Sequence, residues 1–462
     1  MRILIVGGDA AGMSAASQIR RRRPDWQVTI LEQGDFTSYA ACGIPYYLAG
    51  DVPAFADLEV VSAETHRRKR GLDVRTGWKA VEIDPVRHHV VARSREGEVD
   101  GLPYDRLLLA TGASPVVPRW PGVELDGVLA VRDLQDTRRL EQWLTDEIRR
   151  AVIVGAGYIG LEMAEALRRR GLHVTVLEKL PGVLGGADPE LTERTRKELE
   201  AHGVALHLET TVEGFASEDG RLRVVETPGE SYPADVALLS LGVRPNVELG
   251  ERAGIPLGAT GALAVDETQR TGTQDVFAAG DCAEAFHRVL GKPVWIPLAL
   301  TANRQGRVAG TVMAGDPARF PGIVGSAVTR VFDLTLARTG IDETTARNEG
   351  IAVETVATTA PSKAHYYPGH EPLWVKILYR PDDGTVVGAL LAGHDPSAGK
   401  RCDVLATAIT AGMTIEEVAD LDLTYAPPFA PVWDPVLQAA NKGVFRREAA
   451  RMEACPGKRV AS

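Results

Sequence analysis

The sequence of 462 residues is poor in cysteine: Cys42, Cys282, Cys402 and Cys455 stand far apart, with no C-x-x-C pair and no histidine at zinc-ligand spacing. That scarcity excludes a disulfide framework and a structural zinc site, and it predicts a reducing, cytoplasmic compartment. Long apolar runs are also missing. The most apolar later stretch, residues 151–167, carries Glu162 and Glu165, and MRILIVGG enters a strand without an h-region or a small-residue cleavage site. Neither a signal peptide nor a spanning helix is expected. Positive charge is in deficit, with 52 Lys plus Arg against 62 Asp plus Glu, so the net charge of −10 offers nucleic acid or an anionic membrane no general attraction. Metal ligation has no support either, because His88, His89, His365 and His370 lack a partner at helical or turn spacing.

Glycine, by contrast, is abundant, at 47 residues against a usual share of about 7%. Tight turns and close backbone approaches follow. The length predicts two to four domains at roughly 100 to 200 residues each. Two segments repeat one pattern: an apolar strand (Ile3 to Val6, Ala151 to Val154), a Gly-rich turn (GGDAAG, GAGYIG), a helix to about Arg23 or Arg170, and a second strand ending in Glu32 or Glu178. This is the strand–helix–strand unit that binds a dinucleotide, with pyrophosphate on the helix N-terminus and the acid on ribose hydroxyls.

The second copy is complete, with Gly155, Gly157, Gly160 and Glu178. The first keeps Gly7, Gly12 and Glu32 but has Asp9 where the middle glycine belongs, an unfavourable charge near a pyrophosphate. The distant VFAAGD supplies Asp281 for a ribitol hydroxyl at another helix start, and together these favour a flavin dinucleotide. Residues 72–113 and 203–242 read as short alternating strands, Leu298 to Met313 as a helix, and the region from Gly325 as a mixed α+β unit without a phosphate loop. The tail from about Arg446 is polar and expected to fray.

The order GGDAAG, YDRLLLATGASP, GAGYIGLEMAEAL, DVALLSLGVRPN, VFAAGDCA and VFDLTLARTG resembles the pyridine nucleotide–disulfide oxidoreductase family over residues 1 to about 445. The resemblance implies an α/β chain with two Rossmann-like dinucleotide-binding domains, glutathione reductase-like in arrangement, and a C-terminal α+β dimerisation domain. The implied boundaries are 1–113 and 245–322 for FAD, 114–244 for NADH or NADPH, 323–446 for dimerisation and 447–462 for a flexible tail. FAD contacts are implied for Gly7, Ala11, Gly12, Glu32, Ala110, Thr111, Gly112, Gly280 and Asp281, and NAD(P)H contacts for Gly155, Gly157, Tyr158, Ile159, Gly160, Glu162 and Glu178. Tyr158 and Glu162 match an aromatic gate and an acid between nicotinamide and flavin, although a packing residue at a helix start is the other reading of Tyr158.

Two-cysteine relatives carry C-x4-C beside the flavin, but here Tyr47 stands five positions after Cys42 in SYAACGIPYY, so no internal disulfide forms there. Pro45 suits a first helical turn, which places Cys42 near a positive helix end that favours its thiolate. A buried inert cysteine is the alternative. Single-cysteine relatives divide into NADH oxidases and peroxidases, which cycle a sulfenic acid, and coenzyme A–disulfide reductases, which cycle a CoA mixed disulfide. Ala10 occupies the position of the peroxidase-type histidine. S-x-x-x-C-G-I-P-Y-Y, KAHYYPG around Tyr367 and LTYAPPFAPVWDPV around Tyr425 are similar to the CoA–disulfide reductases.

That resemblance implies Cys42 as the redox sulfur, Tyr367 and Tyr425 as catalytic hydroxyls, and CoA contacts at Gln18, Arg21, Ser38 and Arg70. A solvated basic helix face is the other reading of Arg20 to Arg23 and of Arg67 to Arg70. The expected partners are CoA disulfide or a related small disulfide and a second copy of the chain sharing the active site. An NADH oxidase and a persulfide or polysulfide reductase are the alternatives in the same class. The absence of a rhodanese-like extension after residue 462 is expected to disfavour the persulfide version. A flavin redox sensor without turnover is the alternative from another class.

Overall fold

The computed structural model describes residues 1–186 and 188–454, which form two compact units: 1–177, 211–287 and 291–323 in one, and 178–186, 188–210, 288–290 and 324–454 in the other. Cys455 lies outside the described residues. Among them, no helix is long and apolar enough to cross a membrane.

The first unit opens with β1 (Arg2–Val6), α1 (Ala10–Arg22) and β2 (Gln27–Glu32). β1 lies in the middle of a five-stranded parallel sheet, in the order Val276–Ala278, Arg106–Leu109, β1, β2, Asp73–Thr76. Its ILIV run is buried without alternation, as expected where both faces of a parallel sheet are covered. Register aligns Val6 with Leu31 and Leu109, so Gly7, Glu32 and Ala110 emerge together at the carboxyl ends of neighbouring strands. Ala278 pairs with Leu109, and the strand from far along the chain thereby delivers Gly280 and Asp281 to the same end. Ligands bind open α/β sheets at this edge.

Between β2 and the strand Asp73–Thr76 stand two short helices, α2 (Ile44–Leu48) and α3 (Ala63–Arg70). The Ser62 hydroxyl caps α3 by accepting from the Thr65 N–H at 3.2 Å, and Gly71, at φ +61°, ends it in the left-handed conformation that glycine tolerates. The second strand–helix–strand is β3 (Arg150–Val154), α4 (Tyr158–Arg169) and β4 (His173–Leu177), in a parallel sheet with Val236–Leu239 and Val128–Leu129. The alternating segments expected before LLLATGASP and VALLSLGVRPN include two three-stranded antiparallel sheets, within 78–103 and 214–233.

A long helix, α5 (Ala299–Met313), packs on α1. A Cβ added at Gly306 or Gly310 would lie 2.1 or 2.4 Å from the carbonyl oxygens of Ala11 and Ala15, so these glycines set how closely the two helices approach. Asp281 does not begin a helix as expected. The chain runs from it into the hairpin Ala285–His287 and Lys292–Val294, and α5 begins only at Ala299.

The second unit is built on a five-stranded antiparallel sheet in the order Ala327–Val331, Leu334–Gly340, Val386–Gly393, Pro372–Tyr379, Glu354–Pro361. The central run VVGALLAG is buried throughout. α6 (Ser397–Ala411) and α7 (Pro435–Ala454) cover one face through Leu405, Ile409, Val436 and Ala440. The chain stays helical past residue 447, where fraying was expected, because Arg447 is buried and donates to Glu416 Oε1 at 2.8 Å and the Pro381 carbonyl at 2.7 Å.

Candidate active site

The first Gly-rich turn is closed by its own backbone. A Cβ at Gly12 would sit 1.9 Å from Gly7 O, and one at Gly7, where φ is +112°, would sit 2.0 Å from Ala110 O. Only glycine permits this cradle. Glu32 braces it by accepting from the N–H groups of Gly8 (2.8 Å) and Gly34 (2.7 Å), and burial pushes its carboxyl up against those bonds. Gly280 is drawn to the same place: its added Cβ would come 2.9 Å from Ala11 Cβ, and its N–H donates to the buried Gln305 Oε1 at 2.9 Å. Thr111 is held through Asn246, whose carbonyl accepts from Thr111 Oγ1 at 2.6 Å and whose amide donates to Thr111 O at 2.8 Å. Ala110 and Gly112 flank this exchange, Gly112 at φ +69°.

α1 starts without a side-chain cap, leaving N–H groups in its first turn to meet a pyrophosphate. Asp9, the departure from the glycine fingerprint, turns toward the polypeptide: its Oδ1 accepts from the Tyr39 N–H at 3.3 Å. Burial lifts its carboxyl to about 6, against the N–H groups of Ala10 and Tyr39, which opens a neutral form compatible with a neighbouring phosphate. Asp281 Oδ2 pairs with Arg132 at 2.8 Å. Burial nevertheless raises the Asp281 carboxyl.

The second turn follows the same plan, with Gly155 at φ +107° and an added Cβ at Gly160 falling 2.0 Å from Gly155 O. Gly157 differs, because nothing lies within 4 Å of its added Cβ, and α4 also starts without a side-chain cap. Closed packing at Gly155 and Gly160 with open space at Gly157 fits a pyrophosphate at that turn. Tyr158 and Glu162 stand one turn apart on α4, with Ile159 exposed between them. Glu178, which directly follows β4, is mostly buried, and its Oε1 accepts from the Leu180 N–H at 2.9 Å.

Cys42 occupies a one-turn 3-10 segment, Ala41–Gly43, just before α2, and is exposed. Tyr46, on α2, donates through its hydroxyl to Glu162 Oε1 at 3.3 Å, and Tyr47 donates to Glu141 Oε1 at 2.7 Å. α2 and α4 are thus brought together, Cys42 with Glu162. The expected thiolate-favouring effect is not found. Desolvation by the surrounding protein pushes the thiol up, Glu162 adds to it, and Asp281 and Asp9 outnumber Arg132. Five residues of helix are too few to reverse this. Cys282 is buried, with its sulfur 3.5 Å from the carbonyls of Leu109 and Ala279, and Cys402 is buried in α6.

The proposed CoA contacts fall on neighbouring elements. Ser38, at φ +49°, donates its N–H to Gly8 O at 3.2 Å, and its hydroxyl meets the buried His66 Nε2 of α3 at 3.1 Å. Burial lowers His66 to about 4. Arg70 of α3 donates to Ser17 Oγ of α1 at 3.2 Å, which brings it beside the α1 face carrying Gln18 and Arg21. Most of the other basic residues are otherwise engaged: Arg20 with the carbonyls of Pro24 and Gly71, Arg22 and Arg23 with Asp316, Arg67 with Val74 O, Arg68 with Glu64. Among the described residues Arg21 has no ion pair.

In the second unit, Tyr367 and Tyr425 are both exposed. The hydroxyl that joins Tyr425 belongs to Tyr366, the neighbour of Tyr367, and that bond raises the Tyr425 phenol. Tyr366, Arg132, Gln305, Asn246 and His66 escaped the sequence reading. So did a gathering of Glu198, His202 and Asp333, whose ligand atoms lie within 4.8 Å of one another. Glu198 is already engaged there, accepting from the Asp333 N–H at 3.1 Å and meeting His394 Nε2 at 2.8 Å.

Comparison with known proteins gives the family of the chain. Residues 1–306 match the model for pyridine nucleotide-disulphide oxidoreductases, and residues 326–435 match the dimerisation domain of those enzymes. A CoA-dependent NAD(P)H sulfur oxidoreductase of Pyrococcus furiosus is 39% identical over 95% of this chain and 98% of its own. A coenzyme A disulfide reductase of Staphylococcus aureus is 28% identical over 93% and 96%. The solved NAD-dependent persulfide reductase from A. fulgidus superposes with a TM-score of 0.95 at 39% identity, covering 97% of this chain and 84% of that one. The chain belongs to the pyridine nucleotide-disulphide oxidoreductase family and is an oxidoreductase that uses FAD and NAD(P)H.

Proposed function

We propose that this oxidoreductase reduces coenzyme A disulfide through a mixed disulfide on Cys42. The observation that carries the reading is a lone exposed sulfur beside Glu162 of the nucleotide helix, with Tyr47 where a second cysteine would stand. The Cys42 thiolate attacks one sulfur of CoA–S–S–CoA, forming Cys42–S–S–CoA and expelling one CoA thiolate, which takes up a proton. Two electrons and a second proton then cleave the mixed disulfide, returning the Cys42 thiolate and a second CoA thiol. FAD, when bound, would supply the two-electron chemistry that links NAD(P)H to this disulfide.

The chain's own residues do the rest. Gly7, Ala11, Gly12, Glu32, Ala110, Thr111, Gly112, Gly280 and Asp281 hold the flavin in a domain made of 1–113 and 245–322. Gly155, Gly157, Ile159, Gly160 and Glu178 hold the nicotinamide nucleotide in 114–244, where Tyr158 and Glu162 gate its approach. Gln18, Arg21, Ser38 and Arg70 bind CoA, with Arg21 and Arg70 opposite its phosphates. Tyr425 and Tyr367 are contributed by the 323–446 domain of the second subunit in a dimer, and they protonate the leaving sulfur.

NAD(P)H consumption with CoA disulfide tests the reading: wild type turns over, and Cys42→Ser keeps the flavin and its reduction but loses disulfide turnover. Turnover of peroxide or oxygen with CoA disulfide ignored would replace it with an oxidase or peroxidase. A persulfide reductase is the second reading, favoured by the names of the relatives at 39% identity. A CoA persulfide releasing hydrogen sulfide faster than CoA disulfide is consumed would select it.

A further inference from the structure

Arg401 lies on the first turns of α6 and is 7% exposed. Its Nε donates to Asp434 Oδ2 at 2.8 Å, its Nη1 to Ser397 Oγ, and its Nη2 to two carbonyls, Ser362 O at 2.8 Å and Phe429 O at 3.4 Å. Those carbonyls belong to different segments. Ser362 opens the stretch that contains Tyr366 and Tyr367, and Phe429 follows Tyr425 by four residues.

The first segment is also tied to the stretch before α6, where Ser362 Oγ donates to Asp395 Oδ2 at 2.8 Å and Lys363 Nζ lies 3.7 Å from the same oxygen. Ser362 and Glu371 exchange one backbone bond, Ser362 N–H to Glu371 O at 2.8 Å, and one backbone-to-hydroxyl bond, Glu371 N–H to Ser362 Oγ at 3.1 Å, which closes residues 362–371 into a loop. Within it the Tyr367 N–H donates to Ala364 O at 2.7 Å. Between the segments run one backbone bond, Ala364 N–H to Pro427 O at 3.3 Å, and the hydroxyl contact of Tyr366 with Tyr425. Asp434, whose other oxygen accepts from the Val436 N–H at 2.9 Å, anchors the guanidinium to the start of α7.

We propose that Arg401 is a positioning residue for disulfide reduction, clamping the two tyrosine-bearing loops in one relative arrangement; this rests on the reading of Tyr367 and Tyr425 as proton donors. A guanidinium reaches two carbonyls, a hydroxyl and a carboxylate at once because its donors fan out in a rigid plane. Lysine in its place keeps the charge opposite Asp434 but presents a single nitrogen, so the loops lose their common tie while the buried carboxylate keeps a partner. Misplacement of a proton donor by about 1 Å costs a large factor in rate while leaving remote steps untouched.

The test is a double-mutant cycle on the FAD-loaded enzyme, comparing wild type, Arg401→Lys, the pair Tyr367→Phe with Tyr425→Phe, and all three changes together. Arg401→Lys slows CoA-disulfide turnover by about tenfold and leaves flavin bleaching by NADH unchanged. In the tyrosine-free background the same change adds less than about twofold, because the groups it positions are gone. An equal loss in both backgrounds, or none in either, overturns the positioning role. Unchanged turnover in the tyrosine pair alone overturns the reading of the tyrosines instead. Asp434→Asn, which keeps an acceptor for Nε but releases the charge, guards against misfolding of the lysine variant and must show the same non-additive pattern.

Discussion

Alanine at Gly157 and at Gly160 separates nucleotide approach from packing within a single turn. At Gly160 the new Cβ falls 2.0 Å from Gly155 O, 3.1 Å from the carbonyl carbon and 3.3 Å from Ser240 Cβ. Reaching an ordinary contact distance requires the backbone to open by more than about 1 Å, and overpacking of this kind costs about 1–3 kcal/mol. At Gly157 nothing lies within 4 Å, and its φ of −77° and ψ of −175° suit alanine. Gly157→Ala therefore leaves thermal stability unchanged or slightly improved, yet its methyl group occupies the space kept open for a pyrophosphate. A loss of about 1.4 kcal/mol in binding would raise KM for NADH about tenfold. Thermal melts with and without FAD, together with NADH-dependent flavin reduction, read both effects. A Gly157→Ala variant with wild-type KM, or a Gly160→Ala variant with a wild-type melting temperature, would refute the division of roles.

The purified protein should be yellow, and a missing flavin spectrum after FAD supplementation would remove the basis of the mechanism. NADH should serve at least as well as NADPH, because Glu178 suits ribose hydroxyls and repels a 2′-phosphate; a preference for NADPH of about tenfold or more in kcat/KM would give control to the adjacent Lys179. Glu162→Gln removes one of the charges that push the Cys42 thiol up, so alkylation of Cys42 in the oxidised enzyme should reach half-maximal rate at lower pH than in wild type, and an unmoved profile would contradict that electrostatic account. His66, lowered from 6.5 to about 4 by burial, is neutral when folded. The unfolded chain alone takes up its proton as pH falls from 6.5 toward 4, so stability is lost over that window, by about 3 kcal/mol in all. Urea midpoints across that range should fall less for His66→Gln than for wild type, and equal slopes would contradict the assignment.

The two strand–helix–strand units were legible because their signals are local: an apolar strand, glycines at fixed spacing and an acid at the next strand end. The helices Ala10–Arg22 and Tyr158–Arg169 end within a residue of where pattern placed their ends, though they begin inside the Gly-rich motifs rather than after them, and Ala299–Met313 lies within a residue of its expected bounds. What stayed hidden was set by distant partners. Arg132 meets Asp281 across 149 positions, and Thr111 meets Asn246 across 135, with no local periodicity to announce either contact. The helix-end stabilisation expected for the Cys42 thiolate was not found, for a related reason. Pro45 marked a helix start correctly, but the sequence carried no sign that the helix would stop after five residues or that Glu162 would face the sulfur. Asp9 looked like a defect in the turn until its partner, the Tyr39 N–H, was seen.

The central claim is that Cys42 alternates between thiolate and a CoA mixed disulfide, and intact-mass analysis of the purified enzyme before and after a mild reductant tests it most directly. The account predicts a coenzyme A adduct on the peptide containing Cys42, released stoichiometrically on reduction and absent from Cys42→Ser. A wild-type protein that carries no CoA after exposure to CoA disulfide, and shows instead a sulfenic acid at Cys42, would contradict it.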